Sequence, residues 1–412
     1  MALIDRSHLA RLALAGASLL LATGMAAAAP KAYVGNFADS TVSAIDTGTG
    51  KVVATIPVAT GPHGMQITED GRTVFVAGDG SSSVSVIDTA TDKVTKTIDV
   101  GKSPNGISLT PDDKQLLVTV NGDDKVLFLD AKTQAPLGSV AVKKPHTVSI
   151  TPDGKIAYVT SQEPGNFALV VLDVAKRAVV RTVPLEKTPR DAEFGFDGKR
   201  FYFSEAGVNA IQVLDPANDK IVAEIATGVS PHFVTVFKKS PQLGMITVQG
   251  PGEVALFDPA TNKVLRTVAV GKQPHWLTLS GDGKSIYATN EGSNTLSIID
   301  VATGNTSTVE VGKQPRKVVV QQTAQAAAAP SGEKVKIENF AFGPQKATVK
   351  LGSSITWSND DGLAHTVTFK NKSPGAKNLN PGENFTRKFD KAETLDYFCS
   401  YHPYMTGQVV VQ

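Results

Sequence analysis

The segment YFCSYHPYM, residues 397–405, carries three metal-binding side chains at three-residue intervals. Cys399 is the single cysteine of the 412-residue chain, His402 comes three residues later, and Met405 three residues after that. A further histidine, His365, stands upstream in the segment GLAHTV. A thiolate with two imidazoles is a trigonal donor set suited to copper, and a thioether supplies the weak axial contact of a blue-copper electron-transfer site. All four residue types occur here in the required order, so copper is the candidate metal.

The lone cysteine has three explanations that the residues leave open. A single thiol cannot form a disulfide within the chain, so Cys399 is a buried apolar residue, one half of an intermolecular bridge, or a metal ligand. Cysteines without a partner are often simply buried. The ordered set of one thiol, two imidazoles and one thioether favours the metal ligand.

The segment that must position these side chains is short and rich in predicted strands. Residues 322–333, QTAQAAAAPSGE, lack alternation and are typical of a linker. Residues 334–412 alternate between apolar and polar residues in short runs parted by Gly, Pro and Asn, which predicts a small β-sandwich. The thiol, the second imidazole and the thioether then lie at the end of one strand and in the tight loop before the last strand.

This terminal segment resembles the cupredoxins, and among them the amicyanin and plastocyanin type, through SNDDGLAHTV and YFCSYHPYMTGQVVV. The resemblance implies one mononuclear copper centre whose ligands are His365, Cys399, His402 and Met405. It also implies that His402 is a partly exposed port for electrons, with an apolar docking surface formed by Leu363, Pro403 and Tyr404. One position departs from the pattern. Many relatives carry an asparagine after the first histidine ligand, which ties two ligand loops together, whereas this chain has Thr366 with a hydroxyl as the substitute.

The preceding part of the chain, from residue 33 to residue 320, is a seven-fold repeat. Each unit contains a six-residue apolar segment that ends in aspartate, and these aspartates recur every 42 or 43 residues, at Asp46, Asp88, Asp130, Asp173, Asp215, Asp258 and Asp300. A proline recurs in step with them, at Pro62, Pro104, Pro145, Pro189, Pro231, Pro274 and Pro315. Four alternating segments per unit predict seven four-stranded blades of a β-propeller over residues 30–321, and the segments AYVGN and IYATN resemble the YVTN-repeat propellers. We expect the first and last strands to pair and close the ring.

The residue after each repeating proline begins the innermost strand of its blade and faces one mouth of the central tunnel. These residues are His63, Asn105, His146, Arg190, His232, His275 and Arg316. Four histidines and two arginines at one mouth indicate a site for a ligand, a metal or a partner. The competing interpretation is a solvated rim, and it is favoured because opposed rim residues are usually too far apart to share one ion.

The first 29 residues are typical of a secretory signal peptide, with a charged start, an apolar run over residues 12–21 and small residues near the expected cleavage at Ala26 to Ala29. A retained membrane anchor is the less favoured interpretation, because the apolar run is short. The mature protein is therefore expected in a periplasm, with no membrane span after cleavage. A formal net charge of +2 without a basic cluster argues against a nucleic-acid partner.

Three functions fit the predicted all-β chain of a seven-bladed propeller followed by a cupredoxin. The first is a periplasmic carrier of single electrons whose propeller is a docking or scaffold domain for a redox partner, a cytochrome or a dehydrogenase. The second is a copper-dependent oxidoreductase with an active site at the propeller mouth that passes electrons to its own cupredoxin, as the architectures of nitrous oxide reductase and of methylamine dehydrogenase with amicyanin suggest. A single cysteine and only four propeller histidines argue against a nitrous oxide reductase. The third is a copper-holding or adhesion protein.

Overall fold

The computed structural model describes residues 29–237, 243–322, 333–389 and 391–412, and these form two all-β units. The predicted signal peptide lies almost wholly outside the described residues, as do residues 323–332 of the predicted linker. Within the described ranges, no helix has the length and apolar character needed to span a membrane.

The first unit contains seven four-stranded antiparallel sheets within the described part of the chain, which confirms the seven predicted blades. The innermost strands all begin at the repeating proline: β4 (Pro62–Ile67), β8 (Pro104–Leu109), β12 (Pro145–Ile150), β16 (Pro189–Phe194), β20 (Pro231–Phe237), β24 (Pro274–Leu279) and β28 (Pro315–Val320). The second strands are β1 (Lys31–Asn36), β5 (Thr73–Gly78), β9 (Gln115–Val120), β13 (Ile156–Ser161), β17 (Phe201–Glu205), β21 (Leu243–Val248) and β25 (Ser285–Asn290). The third strands are β2 (Thr41–Asp46), β6 (Ser83–Asp88), β10 (Lys125–Asp130), β14 (Ala168–Asp173), β18 (Ala210–Asp215), β22 (Glu253–Asp258) and β26 (Thr295–Asp300). The outer strands are β3 (Lys51–Pro57), β7 (Lys93–Asp99), β11 (Pro136–Ala141), β15 (Ala178–Pro184), β19 (Lys220–Ala226), β23 (Lys263–Ala269) and β27 (Thr306–Glu310). A short 3₁₀ helix, Asn121–Asp123, follows β9.

The two ends of the repeat complete one blade together. Strand β28 pairs antiparallel with β1, with Val320 opposite Ala32 and Val318 opposite Val34. Each innermost strand also contacts the innermost strands of the two neighbouring blades, so the seven strands surround a central channel. Because the last strand closes the first sheet, the ring has no open joint between its first and last blades.

A β-bulge lies at the same place in every blade. In the second blade, Pro62 pairs with Gly78 and Met65 with Val76, so three steps on β4 match two steps on β5. The six other blades show the same shift immediately after their proline. A bulge re-aims side chains, and here it occurs at the residue that follows the proline.

The repeating aspartates hold the hairpins between third and outer strands. The carboxylate of Asp46 accepts hydrogen bonds from the backbone N–H of Thr49 at 2.7 Å and from its hydroxyl at 2.9 Å. Asp130 with Thr133, and Asp300 with Thr303, repeat this arrangement. These backbone and hydroxyl donors hold the pKa of Asp46, Asp130 and Asp300 below the ordinary value of an aspartate.

The second unit is the predicted β-sandwich. One sheet has the order β30 (Ala341–Gly343), β29 (Lys334–Glu338), β32 (Ser354–Asn359) and β35 (Asn384–Lys388). The other has the order β31 (Lys346–Val349), β37 (Thr406–Val411), β36 (Thr394–Phe398), β33 (His365–Phe369) and β34 (Ala376–Leu379). Their inner faces pack around the fully buried Trp357 and Tyr397 and around Phe369, in a cluster that also contains Cys399 and Met405.

Candidate metal centre

The sandwich brings the start of β33 beside the end of β36. The two strands pair antiparallel, with Thr368 opposite Phe398 and Phe369 opposite Tyr397. His365 is the first residue of β33, and Cys399 directly follows β36. Antiparallel pairing therefore places His365 next to Cys399, although 33 residues lie between them in the sequence.

Three of the four expected metal-binding side chains converge. The Sγ atom of Cys399 lies 3.6 Å from Nδ1 of His365 and 3.7 Å from Nδ1 of His402. One donor atom from each of these three residues lies within 4.8 Å of the others. In the part of the chain that the structure describes, no other group of three His, Cys, Asp or Glu side chains converges this closely. His365 and Cys399 are fully buried, whereas His402 is half-buried. A thiolate and two Nδ1 nitrogens can hold a copper ion in this arrangement.

The loop between β36 and β37 is closed by its own backbone. The N–H of His402 donates to the carbonyl of Cys399 at 3.2 Å, and the N–H of Met405 donates to the carbonyl of His402 at 2.9 Å. The N–H of Cys399 donates in return to the carbonyl of Met405 at 3.1 Å. Met405 is 2% exposed and packs in the same buried cluster as Cys399. These backbone bonds hold the three loop residues together.

Thr366 connects the two segments that carry the donor side chains. Its backbone N–H donates to Sγ of Cys399 at 3.3 Å. Its hydroxyl oxygen accepts the backbone N–H of Ser400 at 2.6 Å. The hydroxyl of Thr366 therefore links the two segments that carry the donor side chains, as the sequence predicted. The N–H of Thr366 donates to the sulfur of Cys399.

An acidic side chain lies behind the buried histidine. Oδ2 of Asp361 is 3.0 Å from Nε2 of His365. The same carboxylate accepts the backbone N–H groups of Asn339 at 2.7 Å and Phe340 at 3.0 Å, which orient it. Burial lowers the pKa of His365, and the charge of Asp361 acts in the opposite direction. Sequence reasoning missed Asp361, although its place four residues before His365 in SNDDGLAH was a visible signal.

His402 is half-buried, and exposed apolar side chains stand close in the sequence to the two histidines. Leu363 is 56% exposed and Tyr404 is 71% exposed, and Pro403 is exposed as well. The ring of Phe340 stands edge-on to His402 with 4.9 Å between centroids. No pattern in the sequence connected Phe340 with this surface, because it lies on a separate loop between β29 and β30.

The four propeller histidines also gather, and the choice between a ligand site and a solvated rim stays a prediction from the sequence. The ring centroids of His63 and His146 are 5.5 Å apart, those of His63 and His275 are 5.9 Å apart, and those of His232 and His275 are 4.1 Å apart. The four rings come from β4, β12, β20 and β24, which belong to four different blades. Each of these strands has a bulge directly after its proline, at the residues that carry the rings.

A buried carboxylate lies beside these rings. Asp191, 2% exposed, follows Arg190 on β16, and its Oδ2 atom is 3.0 Å from Nδ1 of His232. Burial raises the pKa of Asp191, but His232 and the other rings more than offset this and hold it below the ordinary value. Burial, with the neighbouring rings, lowers the pKa of His63 and His275 well below that of a free imidazole. This shift favours the uncharged form of His63 and of His275.

The two arginines that the sequence placed at the same mouth are occupied elsewhere. Arg190 donates to the hydroxyl of Ser230 at 3.2 Å. The guanidinium of Arg316 lies 3.6 Å from the ring centroid of Phe37, and its Nε donates to a carboxylate oxygen of Glu291 at 3.3 Å. The histidines therefore form the core of this cluster, and the arginines lie at its edge.

Comparisons with known proteins identify both units. A profile of the YNCE-like beta-propeller family matches residues 6–111 and 247–324, and a profile of the plastocyanin/azurin family of copper-binding proteins matches residues 331–412. Amicyanin-alpha of Methylorubrum extorquens is 37% identical over 91 residues, which cover 20% of this chain and 76% of amicyanin-alpha. The chloroplastic plastocyanin of Tetradesmus obliquus is 37% identical over 86 residues, which cover 18% of this chain and 59% of that plastocyanin.

The solved structures add a likeness for the fold. Hydrazine synthase of Kuenenia stuttgartiensis superposes with a TM-score of 0.60 at 25% sequence identity, covering 66% of this chain and 92% of that chain. Together with the matched families, this confirms the predicted combination of a propeller with a cupredoxin-like sandwich. The sandwich is a copper-binding domain with one His–Cys–His centre among the described residues.

Proposed function

Because this chain belongs through its C-terminal unit to the plastocyanin/azurin family of copper-binding proteins, we propose that it is a mononuclear blue-copper protein that transfers single electrons. The observation that carries the proposal is the buried approach of Cys399 Sγ to His365 Nδ1 at 3.6 Å and to His402 Nδ1 at 3.7 Å. Bound copper supplies a one-electron change between its cuprous and cupric states, and the residues around it decide how readily that change occurs.

The proposed ligands are His365, Cys399, His402 and Met405. The thiolate and the two imidazoles supply the trigonal set, and the thioether supplies the weak axial contact. Support comes from the convergence of the first three and from the burial of Met405 in the same cluster as Cys399. A sulfur donor in a dry site favours copper over the harder divalent ions, which prefer oxygen ligands.

The surroundings of the site favour fast transfer, because hydrogen bonds restrict the positions of the donors. The backbone bonds of the loop from Cys399 to Met405 and the link from Thr366 to Ser400 restrict the donor positions. Pro403, within this loop, lacks an N–H and has a restricted φ angle. Little movement of the ligands is then required when the charge of the site changes.

The proposed port for electrons is His402, the half-buried member of the set. The exposed side chains of Leu363, Pro403 and Tyr404 form the proposed docking surface, and Phe340 extends it. An apolar patch of this kind, with one polar group in it, suits a transient contact with a redox partner protein, a cytochrome or a dehydrogenase. The edge of the imidazole lies within this contact area.

The propeller, residues 30–321, is proposed to be a docking or scaffold domain for that partner, joined by a linker over residues 322–333 to the copper domain of residues 334–412. Export to a periplasm is proposed from the signal-peptide pattern of residues 1–29. An exported carrier receives and returns electrons through contacts between proteins, so a second domain that binds the partner raises the effective concentration of the copper domain near it.

The test is voltammetry of the full chain loaded with one equivalent of copper. We expect a reversible one-electron couple and rapid exchange between oxidised and reduced protein.

Leu363→Glu places a charge in the proposed docking surface and slows electron exchange with an apolar-faced partner, whereas Leu351→Glu, at another exposed leucine of the same domain, leaves the rate unchanged. An irreversible couple would overturn the proposed carrier function. Equal rates of electron exchange in the two variants would overturn the proposed docking surface.

A further inference from the structure

The propeller channel holds a second cluster of metal-binding side chains that the copper function does not use. Its members are His63, His146, His232 and His275, with Asp191 beside them. We propose that this cluster binds a divalent first-row transition-metal ion through imidazole nitrogens. The site is separate from the copper centre and independent of the electron-transfer function proposed above.

The spacing of the rings fits a shared ion. Two imidazoles on one tetrahedral ion, with metal–nitrogen bonds of about 2 Å, place their ring centroids about 5 Å apart. The two imidazoles of the copper domain, His365 and His402, have centroids 4.9 Å apart. His63 lies 5.5 Å from His146 and 5.9 Å from His275 by the same measure, so each of these two pairs is close to the spacing of two imidazoles that share an ion.

The hydrogen bonds of two rings select the tautomer that a metal needs. Nδ1 of His146 is 3.3 Å from the carbonyl oxygen of Arg190, and Nδ1 of His232 is 3.2 Å from the carbonyl oxygen of His275. A carbonyl only accepts, so Nδ1 carries the proton in each ring and the lone pair is on Nε2. Histidines that bind metals commonly donate their other ring N–H to a carbonyl or a carboxylate.

Two further features, a ring nitrogen without a partner and a buried carboxylate, indicate that the ligand is a cation and not a hydrogen-bond donor. Nδ1 of His275, whose side chain is 8% exposed, has no hydrogen-bond partner among the residues that the structure describes. Asp191, buried at 3.0 Å from His232, supplies a negative charge behind that ring, as the carboxylates of histidine–metal sites do. An anion would meet this carboxylate, and the two nearby arginines already have other partners.

The backbone beneath the rings is fixed by hydroxyl groups from neighbouring blades. Thr119 donates to the carbonyl of His146 at 2.8 Å, and Ser204 donates to the carbonyl of His232 at 2.5 Å. Thr247 donates to the carbonyl of His275 at 3.2 Å. Three of the four histidines are therefore tied to a second blade, which fixes the backbone from which their side chains start.

The experiment is zinc binding by the full chain with its copper site already filled. Protein with one copper per chain is freed of loose metal, equilibrated with Zn²⁺ and separated from unbound ions, and both metals are counted by mass spectrometry. We expect one zinc per chain in addition to copper, with the visible absorption of the copper site unchanged. No zinc beyond the copper, or zinc that enters only as copper leaves, would overturn the proposal.

Variants then test which side chains bind the zinc ion. His63→Asn removes the ring that lies near two others, and we expect it to weaken zinc binding by on the order of 100-fold or more; Asp191→Asn, which alters only the positioning carboxylate, weakens it by about 10-fold. Arg190→Gln is the matched control, because it keeps the backbone carbonyl that accepts from His146 and changes only a side chain that is bonded to Ser230. Affinity that is unchanged in His63→Asn, or reduced equally in Arg190→Gln, contradicts the assignment.

A spectroscopic readout on the unaltered protein covers the case in which a variant fails to fold. Co²⁺ added to the copper-loaded chain gives the visible bands of a four- or five-coordinate nitrogen and oxygen site if the cluster binds it. The strong sulfur-to-cobalt transitions expected at a thiolate site are then absent. A spectrum of six-coordinate aqueous Co²⁺ means that the histidines bind no ion, and the proposal fails.

Discussion

The two histidine clusters of this molecule differ in how the chain assembles them. The proposed copper site takes three donors from one short loop, residues 399–405, and a fourth from the adjacent strand β33, and the donor atoms of His365, Cys399 and His402 lie within 4.8 Å of one another. The propeller cluster takes its rings from four blades spread over more than 200 residues, between His63 and His275. Donors held by one loop are set by local backbone bonds, whereas donors from four blades depend on closure of the whole ring.

The second difference is chemical. The proposed copper site contains a buried thiolate, from which we expect a preference for copper and strong absorption, whereas the propeller cluster has only imidazoles and a carboxylate. The four predictions below change one side of this comparison at a time.

The largest expected effect follows from removal of the sulfur. Cys399→Ser leaves a hydroxyl in place of the thiolate, so the charge-transfer absorption of the copper protein disappears completely while the propeller stays folded. Optical spectra and far-ultraviolet circular dichroism measure the two outcomes. If the colour survives the substitution, Cys399 is not a ligand.

Thr366→Val tests the link between the two ligand segments. It removes the hydroxyl that accepts the N–H of Ser400 at 2.6 Å, and keeps the shape and the backbone donor to the sulfur. We expect a loss of about 1 kcal/mol in the free energy of unfolding of the copper domain and faster release of copper to a chelator. Thr356→Val, in the exposed Thr356–Thr386 pair on the other sheet, is the control, and equal copper release in both variants would refute the linking role.

Asp361→Asn tests the carboxylate behind His365. Loss of a negative charge 3.0 Å from Nε2 makes the more positive, cupric state less favourable, so the midpoint potential rises by an amount on the order of tens of millivolts. Asp360→Asn makes the same change of charge at a neighbour that pairs with Lys336 instead. A rise of equal size in the control would mean that only general charge matters.

The smallest effect concerns the aspartate turns, which only the propeller repeats. The pKa of Asp46, Asp130 and Asp300 is lower in the folded state than the ordinary value of 3.8. Their contribution to stability is therefore fully present above that value and is lost as the pH falls through the lower folded-state pKa. Replacing all three with asparagine should flatten the fall in melting temperature of the propeller below about pH 4, as measured by calorimetry. An unchanged slope would show that other groups control acid unfolding.

The parts of the fold that follow from short-range patterns were predictable from the sequence. The recurring prolines and aspartates indicated seven blades and their strand order, and the pairing of β28 with β1 followed from the incomplete first and last units. The spacing of Cys399, His402 and Met405 pointed to copper because these residues share one loop.

What could not be predicted depends on contacts between distant segments. Phe340 reaches His402 from another loop, and nothing in its local sequence indicates that contact. The approach of His63 to His146 and His275 depends on a bulge in every blade, which redirects side chains that a regular strand would leave apart. The sequence predicted that these rings stand at the same position of their blades, but the distances between them required the structure.

The most direct test of the central claim is an electron paramagnetic resonance spectrum of the oxidised chain, recorded with an optical spectrum and a copper count. We predict one copper per chain, intense absorption in the visible range and the narrow hyperfine splitting of a cupric ion bound to a thiolate, with both signals lost on reduction. A colourless protein at full copper loading, or the wide hyperfine splitting of a copper ion bound only to nitrogen and oxygen, would contradict the account.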